Sequence, residues 1–191
     1  MQTFFYFIRK VTIPPVFAVA FLVTLYCTDA AYLGNLYQLI CGVIFLGILP
    51  ALGYPLQKYI SPFNEKGREG QRILAMIFSM IGYLLGTLVS FLGQSSQELH
   101  ITYLLYLSCG IIMFLFNKGL HLKASGHTCG ITAPILLFLQ FQMFLPAMIG
   151  LLLAVPVMTA SVKTKRHTPL QLIGGCLIAI VCMIVIRFLY I

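Results

Sequence analysis

Acidic side chains are nearly absent from this chain: four Asp and Glu stand against twelve Lys and Arg in 191 residues. That scarcity excludes the carboxylate cluster that a dedicated magnesium site draws on. Charge of either sign is sparse, at 8% of residues, where soluble domains average about 25%. With 60% hydrophobic residues and a mean hydropathy of +0.99, the composition is that of an integral membrane protein. No CxxC and no Cys/His ligand spacing occurs among Cys27, Cys41, Cys109, Cys129, Cys176 and Cys182. Buried small hydrophobes are therefore expected of them, rather than zinc ligands or disulfides. No apolar stretch followed by a small-residue cleavage site opens the chain, so no removable signal peptide is expected. The start MQTFFYFIRK reads instead as an interfacial segment ending on Arg9 and Lys10. Without an internal repeat or a Ser/Gly- or Pro-rich linker, a single domain over residues 1–191 is the simplest organisation.

What is present is a series of long apolar runs. A spanning helix needs about 20 apolar residues, within a range of roughly 17 to 25. Seven runs qualify or nearly so: 11–27, 35–56, 73–93, 100–117, 126–142, 145–161 and 169–190. Backbone polar groups in lipid must be satisfied within the segment, which makes these helices. The expected fold is all-α, a polytopic transmembrane helical bundle of six to seven spans. Pro14, Pro15, Pro50, Pro55, Pro134 and Pro156 predict kinks or helix ends, and Gly42, Gly47, Gly82, Gly86, Gly174 and Gly175 suit close helix contacts.

The connections between runs are unequal in charge. Taking every run as a crossing, eleven of the twelve Lys and Arg fall on the side that holds the N-terminus, and only Arg187 lies near the other face. The opposite connections, TDAAYLGN and GQSSQELH, carry Asp29 and Glu98 and no basic residue. The positive-inside rule then assigns the basic side to the cytoplasm. The small size of the chain points to a bacterial inner membrane.

Three basic segments meet on that side: KYISPFNEKGREGQR, NKGLHLKASGH and SVKTKRH. They gather His121, His127 and His167 with Lys66, Arg68, Arg72, Lys123, Lys163, Lys165 and Arg166, opposed only by Glu65 and Glu69. A basic pocket at a membrane face suits an anion, and the one most available there is a phosphorylated lipid head group. Arginine offers phosphate a planar fork, lysine a point charge. Ser125-Gly126-His127 is expected to open a helix, whose first N–H groups and dipole favour an oxyanion, with Gly126 letting phosphate approach the backbone. Two histidines can share the cleavage of a phosphate ester. One attacks phosphorus and becomes a phosphohistidine; the other protonates the departing oxygen and later activates water. Surrounding cations stabilise the transferred phosphoryl group without a metal.

These residues resemble the motifs of the type 2 phosphatidic acid phosphatase superfamily, which includes the vanadium haloperoxidases: Lys-(six)-Arg-Pro, Pro-Ser-Gly-His and Ser-Arg-(five)-His-(three)-Asp. Ala124-Ser125-Gly126-His127 stands for the second, ASVKTKRHTPLQ for the third and EKGREGQR for the first. The likeness covers roughly residues 58 to 180, and Gln171 in the place of the final Asp resembles the dolichyl-diphosphatase branch. It implies a phosphatidic acid phosphatase type 2-like fold, with His167 as nucleophile and His127 as acid for the leaving group. Arg72, Lys123, Ser125, Gly126, Lys66, Lys163 and Arg166 would then hold phosphate, and Gln171 would support His167. The implied activity is a membrane lipid phosphate phosphatase acting on polyprenyl phosphate, polyprenyl diphosphate or phosphatidate-like lipids without a cofactor. The alternative is a weakened or inactive homologue that binds or transports anionic phospholipid. Expected partners are the lipid phosphate and bilayer lipids, with no nucleic acid. The chain departs from the pattern at Glu65, where the family has lysine, at Ile73 for proline, and at Ala160-Ser161 for Ser-Arg.

Overall fold

The structure is a computed structural model that describes residues 5, 7–8, 11–93, 95–119 and 123–190. Arg9, Lys10 and His121, which enter the charge and histidine readings above, lie outside those residues. Among the described residues seven principal helices follow one another and no strand forms. Helix α1 is Pro14–Thr28, with Pro14 at a first position where a missing N–H costs nothing. Helix α2 runs as Leu36–Gly42, a π-helical stretch Val43–Ile48, and Leu49–Leu56. The widened turns directly precede Pro50, whose ring would otherwise press on the carbonyl four residues back. Helix α3 is Gly67–Leu92 and α4 is Gln97–Phe114, continued by the π-helical Leu115–Gly119. Helices α5 (Gly126–Gln140), α6 (Phe144–Lys163) and α7 (Pro169–Leu189) complete the chain.

Five stretches are long and apolar enough to cross a bilayer: Leu36–Tyr59, Gly67–Leu92, Gln97–Asn117, Phe144–Lys163 and Pro169–Leu189, with mean hydropathies from 1.9 to 2.7. Helices α1 and α5 have 15 residues each. They rise about 22 Å, less than the roughly 30 Å hydrocarbon thickness. The expectation that α3 starts at residue 73 stops where lipid would stop; the helix itself begins six residues earlier, and Arg72 lies on it. Large apolar side chains such as Leu145, Leu152, Leu170 and Phe188 are 70% or more exposed. Patches of that kind are a liability in water and an ordinary surface toward lipid.

Packing divides the chain into two compact units, Met1–Phe21 with Ile111–Ile191, and Leu22–Gly110. Within the second unit, α2 and α3 come into backbone contact. A Cβ on Gly53 would fall 2.4 Å from the Ala75 Cα, and one on Gly82 would fall 2.2 Å from the Phe45 carbonyl oxygen in the π-helical stretch. His100 closes the end of this unit: its Nε2–H donates to the Ser90 carbonyl, and its ring stacks on Phe91 at 4.8 Å.

The first unit holds α5, α6 and α7. Gln142, at φ 59°, turns the three-residue link between α5 and α6. Ile131 and Ile135 of α5 pack with Ala154 and Val157 of α6. Phe21 meets Phe138 edge-on at 4.9 Å between ring centres. Helices α5 and α7 run parallel, since their contacts advance together. The Ser125 N–H donates to the Gln171 carbonyl at 2.9 Å. Thr132 Oγ1 donates to Cys176 Sγ at 3.4 Å, and Leu139 and Gln140 line one groove with Met183 and Arg187. Cys41, Cys109, Cys129 and Cys182 are buried, as expected of small apolar residues, whereas Cys27 is exposed and Cys176 half-buried.

Candidate functional site

The candidate site is the end of the first unit where α5 and α7 both begin. Ser125 caps α5: its Oγ accepts from the Thr128 N–H at 3.3 Å and from Thr128 Oγ1 at 3.0 Å. Ser125 is fully buried and Thr128 nearly so. Gly126 and His127 are the first two helical residues, whose N–H groups lie ahead of any intrahelical acceptor. Gly126 is exposed, and a Cβ built on it meets nothing within 4 Å. His127 is half-buried, with its Nε2 inside the protein. Asn117 fixes the approach to this cap: its Oδ1 accepts from the Ala124 N–H at 3.0 Å while its Nδ2 donates to the Met113 carbonyl.

The turn from α6 to α7 is built just as locally. Lys163 ends α6, and Lys165 adopts φ 52°. Arg166 N–H donates to the Ser161 carbonyl at 3.0 Å and Lys165 N–H to that of Val162 at 2.9 Å. This pair of bonds is a Schellman closure. Thr168 then caps α7 in a capping box with Gln171, a Thr-x-x-Gln pattern that satisfies two early N–H groups reciprocally. The Gln171 side-chain oxygen accepts from the Thr168 N–H at 3.4 Å and from His167 Nδ1 at 3.1 Å. A backbone N–H only donates, so the atom it meets is the amide oxygen. His167 Nδ1 therefore carries the proton, and the lone pair of the neutral imidazole sits on Nε2.

The Ser125–Gln171 backbone bond joins the two histidine-bearing turns. Gly175 makes this approach possible, because a Cβ there would fall 2.3 Å from the Ser125 carbonyl oxygen and 3.1 Å from the Cys129 nitrogen. Ser125 lies level with residues between Gln171 and Gly175, so α5 begins about one turn, roughly 5 Å, deeper than α7. The start of α5 is thus set back from that of α7. Each helix N-terminus carries the equivalent of about half a positive charge, and here two point the same way.

Lys123, two residues before the Ser125 cap, and Lys163, at the end of α6, are exposed, and Arg166 is half-buried with Nη1 enclosed. Residues 1–21 and 111–191 contain eight Lys and Arg and no Asp or Glu, so any anion there meets one sign of charge. Lys66 and Arg72 belong to the other unit, exposed at and near the start of α3. The positions where the resembled motif has Ser-Arg are turned into the core: Ala160 is fully buried, and Ser161 is 1% exposed with its Oγ donating to the Val157 carbonyl. Asn117, Thr128, Thr168 and Gly175 were not legible as site-builders. Ser125-x-x-Thr128 and Thr168-x-x-Gln171 carry cap spacings, but only the contact between α5 and α7 gives them a common purpose.

Among the described residues no group of three or more His, Cys, Asp or Glu is placed to hold a metal ion. No protein-family model matches the chain, and no curated protein or solved structure matches it. The class that the fold defines is a helical integral membrane protein with five helices able to cross a bilayer.

Proposed function

We propose that this chain is a lipid phosphate phosphatase of the type 2 phosphatidic acid phosphatase kind, a bundle of six to seven spans with its basic end at the cytoplasmic face of a bacterial inner membrane. The observation that carries the reading is the joining of two histidine-bearing helix starts by the Ser125–Gln171 bond, with His167 Nδ1 tied to Gln171. In this reading His167 Nε2 attacks phosphorus and forms a P–N bond. The P–O bond to the lipid breaks, its electron pair leaves with the oxygen, and protonated His127 donates a proton to it. Neutral His127 then takes a proton from water as that oxygen attacks phosphorus. The P–N bond breaks, inorganic phosphate departs and His167 returns to its neutral form. Lys123, Lys163, Arg166 and the N–H groups at Gly126 and His127 stabilise the equatorial charge. Lys66 and Arg72 enter through span order alone.

A second reading, an anionic-lipid binder without turnover, is favoured by one observation. The Ala160-Ser161 positions face the core, so no arginine fork arises there, and lysine does not reproduce one. Phosphate release from polyprenyl diphosphate and from phosphatidate by purified protein decides between them. Release that is lost in His167→Ala supports the enzyme. Lipid phosphate bound equally by both proteins, with no His167-dependent release, supports the binder. Gly126→Ala sharpens the test, because the added methyl meets no protein atom within 4 Å. It should leave the thermal midpoint unchanged or higher, and still weaken phosphate binding by crowding the backbone N–H groups.

A further inference from the structure

Next to the α6–α7 turn, a groove of about 320 Å³ lies between α6 and α7, lined by Met158, Thr159, Val162 and Lys163 of α6 and Leu172 of α7. We propose that it seats the chain segment adjoining the phosphate of a single-chain lipid phosphate or diphosphate; this deepens the phosphatase reading and rests on its phosphate site.

Three observations choose this occupant. The groove starts where the phosphate site stops, since Leu172 follows Gln171 and Lys163, the last residue of α6, lines its near end. Lys163 can lay its methylene stem along the apolar wall and keep its ammonium at phosphate depth. The charge around that end is of one sign, because the unit carries no carboxylate. The size is the third argument. Ligand pockets run from about 300 to 1,000 Å³, so this groove is at the small end and admits one chain. Met158 to Lys163 rises about 7.5 Å along α6, enough for the first part of that chain only. Beyond Met158, the exposed Val155, Leu152 and Leu151 continue as a lipid-facing surface. The rest of the chain thereby stays in the bilayer, and a dephosphorylated lipid can depart sideways.

The chain has no tryptophan, which gives a clean reporter. Thr159→Trp, at an exposed position, places one indole in the groove, with Val162→Trp as a second site should the first variant misfold. In phosphatidylcholine nanodiscs, fluorescence is quenched with a brominated single-chain alkyl phosphate, with the brominated alcohol of the same chain, and with brominated diacyl phosphatidate. Quenching by the alkyl phosphate should saturate, at an affinity on the order of tenfold above the alcohol as two basic side chains near an anionic head imply. The preference should vanish when Lys163 and Arg166 are both replaced by alanine. Equal quenching by phosphate and alcohol overturns the groove assignment, and equal quenching by phosphatidate overturns its single-chain preference. Phosphate release measured in parallel separates the two ideas. Preference without release leaves the groove standing and the phosphatase fallen; release without preference does the reverse.

Discussion

Lys165 holds φ 52° at the residue after the α6 cap, a place where glycine is usual. An L-residue in the left-handed region is disfavoured by about 1–2 kcal/mol, and the Schellman bonds hold it there. Lys165→Gly is expected to relieve about 1 kcal/mol, a rise of about 2–4 °C in Tm for a chain of this length, read by thermal unfolding in detergent. A fall would show that the lysine side chain itself supports the turn. Gln171 makes a stronger residue-level claim. One oxygen both completes the α7 capping box and receives His167 Nδ1–H. Gln171→Leu removes both partners and should cost about 1 kcal/mol. Turnover should fall on the order of 100-fold, the size of a misaligned reacting group. Gln171→Glu keeps the accepting oxygen and places an anion at the helix start, a gain of about 0.3–1 kcal/mol. It should restore most of the turnover that the leucine variant loses. Equal defects in both variants would sink the orienting role of that oxygen.

At the scale of elements, the site exists because α5 can start a turn deep against α7. Gly174 and Gly175 read alike in sequence, yet they differ in what they touch. A Cβ at 174 meets only the Ala124 Cβ at 3.6 Å, while one at 175 strikes the Ser125 carbonyl oxygen at 2.3 Å. Gly174→Ala should therefore be neutral within about 0.5 kcal/mol. Gly175→Ala should cost about 1–3 kcal/mol, as overpacking does, and should lower phosphate release more than stability. Comparable effects of the two substitutions would contradict the close approach. The contrast also explains what could be foreseen. Apolar runs located the seven principal helices of the described residues, and five of these have the length and hydropathy that a bilayer demands. The start of α3 at Gly67 was missed because a helix does not end where the membrane does. Helix α5 starts at Gly126 as expected and ends at Gln140, two residues short of the expected 142, where Phe141 caps it and Gln142 turns the chain at φ 59°; how deep its start sits against α7 depends on a glycine forty-nine residues away, which a run of apolar residues does not display. The basic and histidine residues were conspicuous in the sequence. The groups that orient them, Asn117, Thr128 and Thr168, are ordinary polar residues that only tertiary contacts single out.

At the scale of the whole molecule, the open property is which way the basic end faces. Basic residues gathered for phosphate would also inflate a topology count, so the two uses of charge must be separated. Leaving out the five proposed phosphate contacts Arg72, Lys123, Lys66, Lys163 and Arg166, six Lys and Arg still stand on the expected basic side against Arg187 alone. Charge bias in short loops sets orientation, so the prediction of a cytoplasmic basic end survives the subtraction. Ser61, in the loop before α3, and Asp29, after α1, are both exposed and make suitable reporters. In a Cys27→Ser background, a membrane-impermeant maleimide applied to intact spheroplasts should label Asp29→Cys and leave Ser61→Cys unlabelled until the membrane is opened. The reverse pattern would place the histidines at the outer face and turn the proposed enzyme toward lipid phosphates of the outer leaflet. Labelling of both from outside would show that α2, the one long apolar helix between them, does not cross.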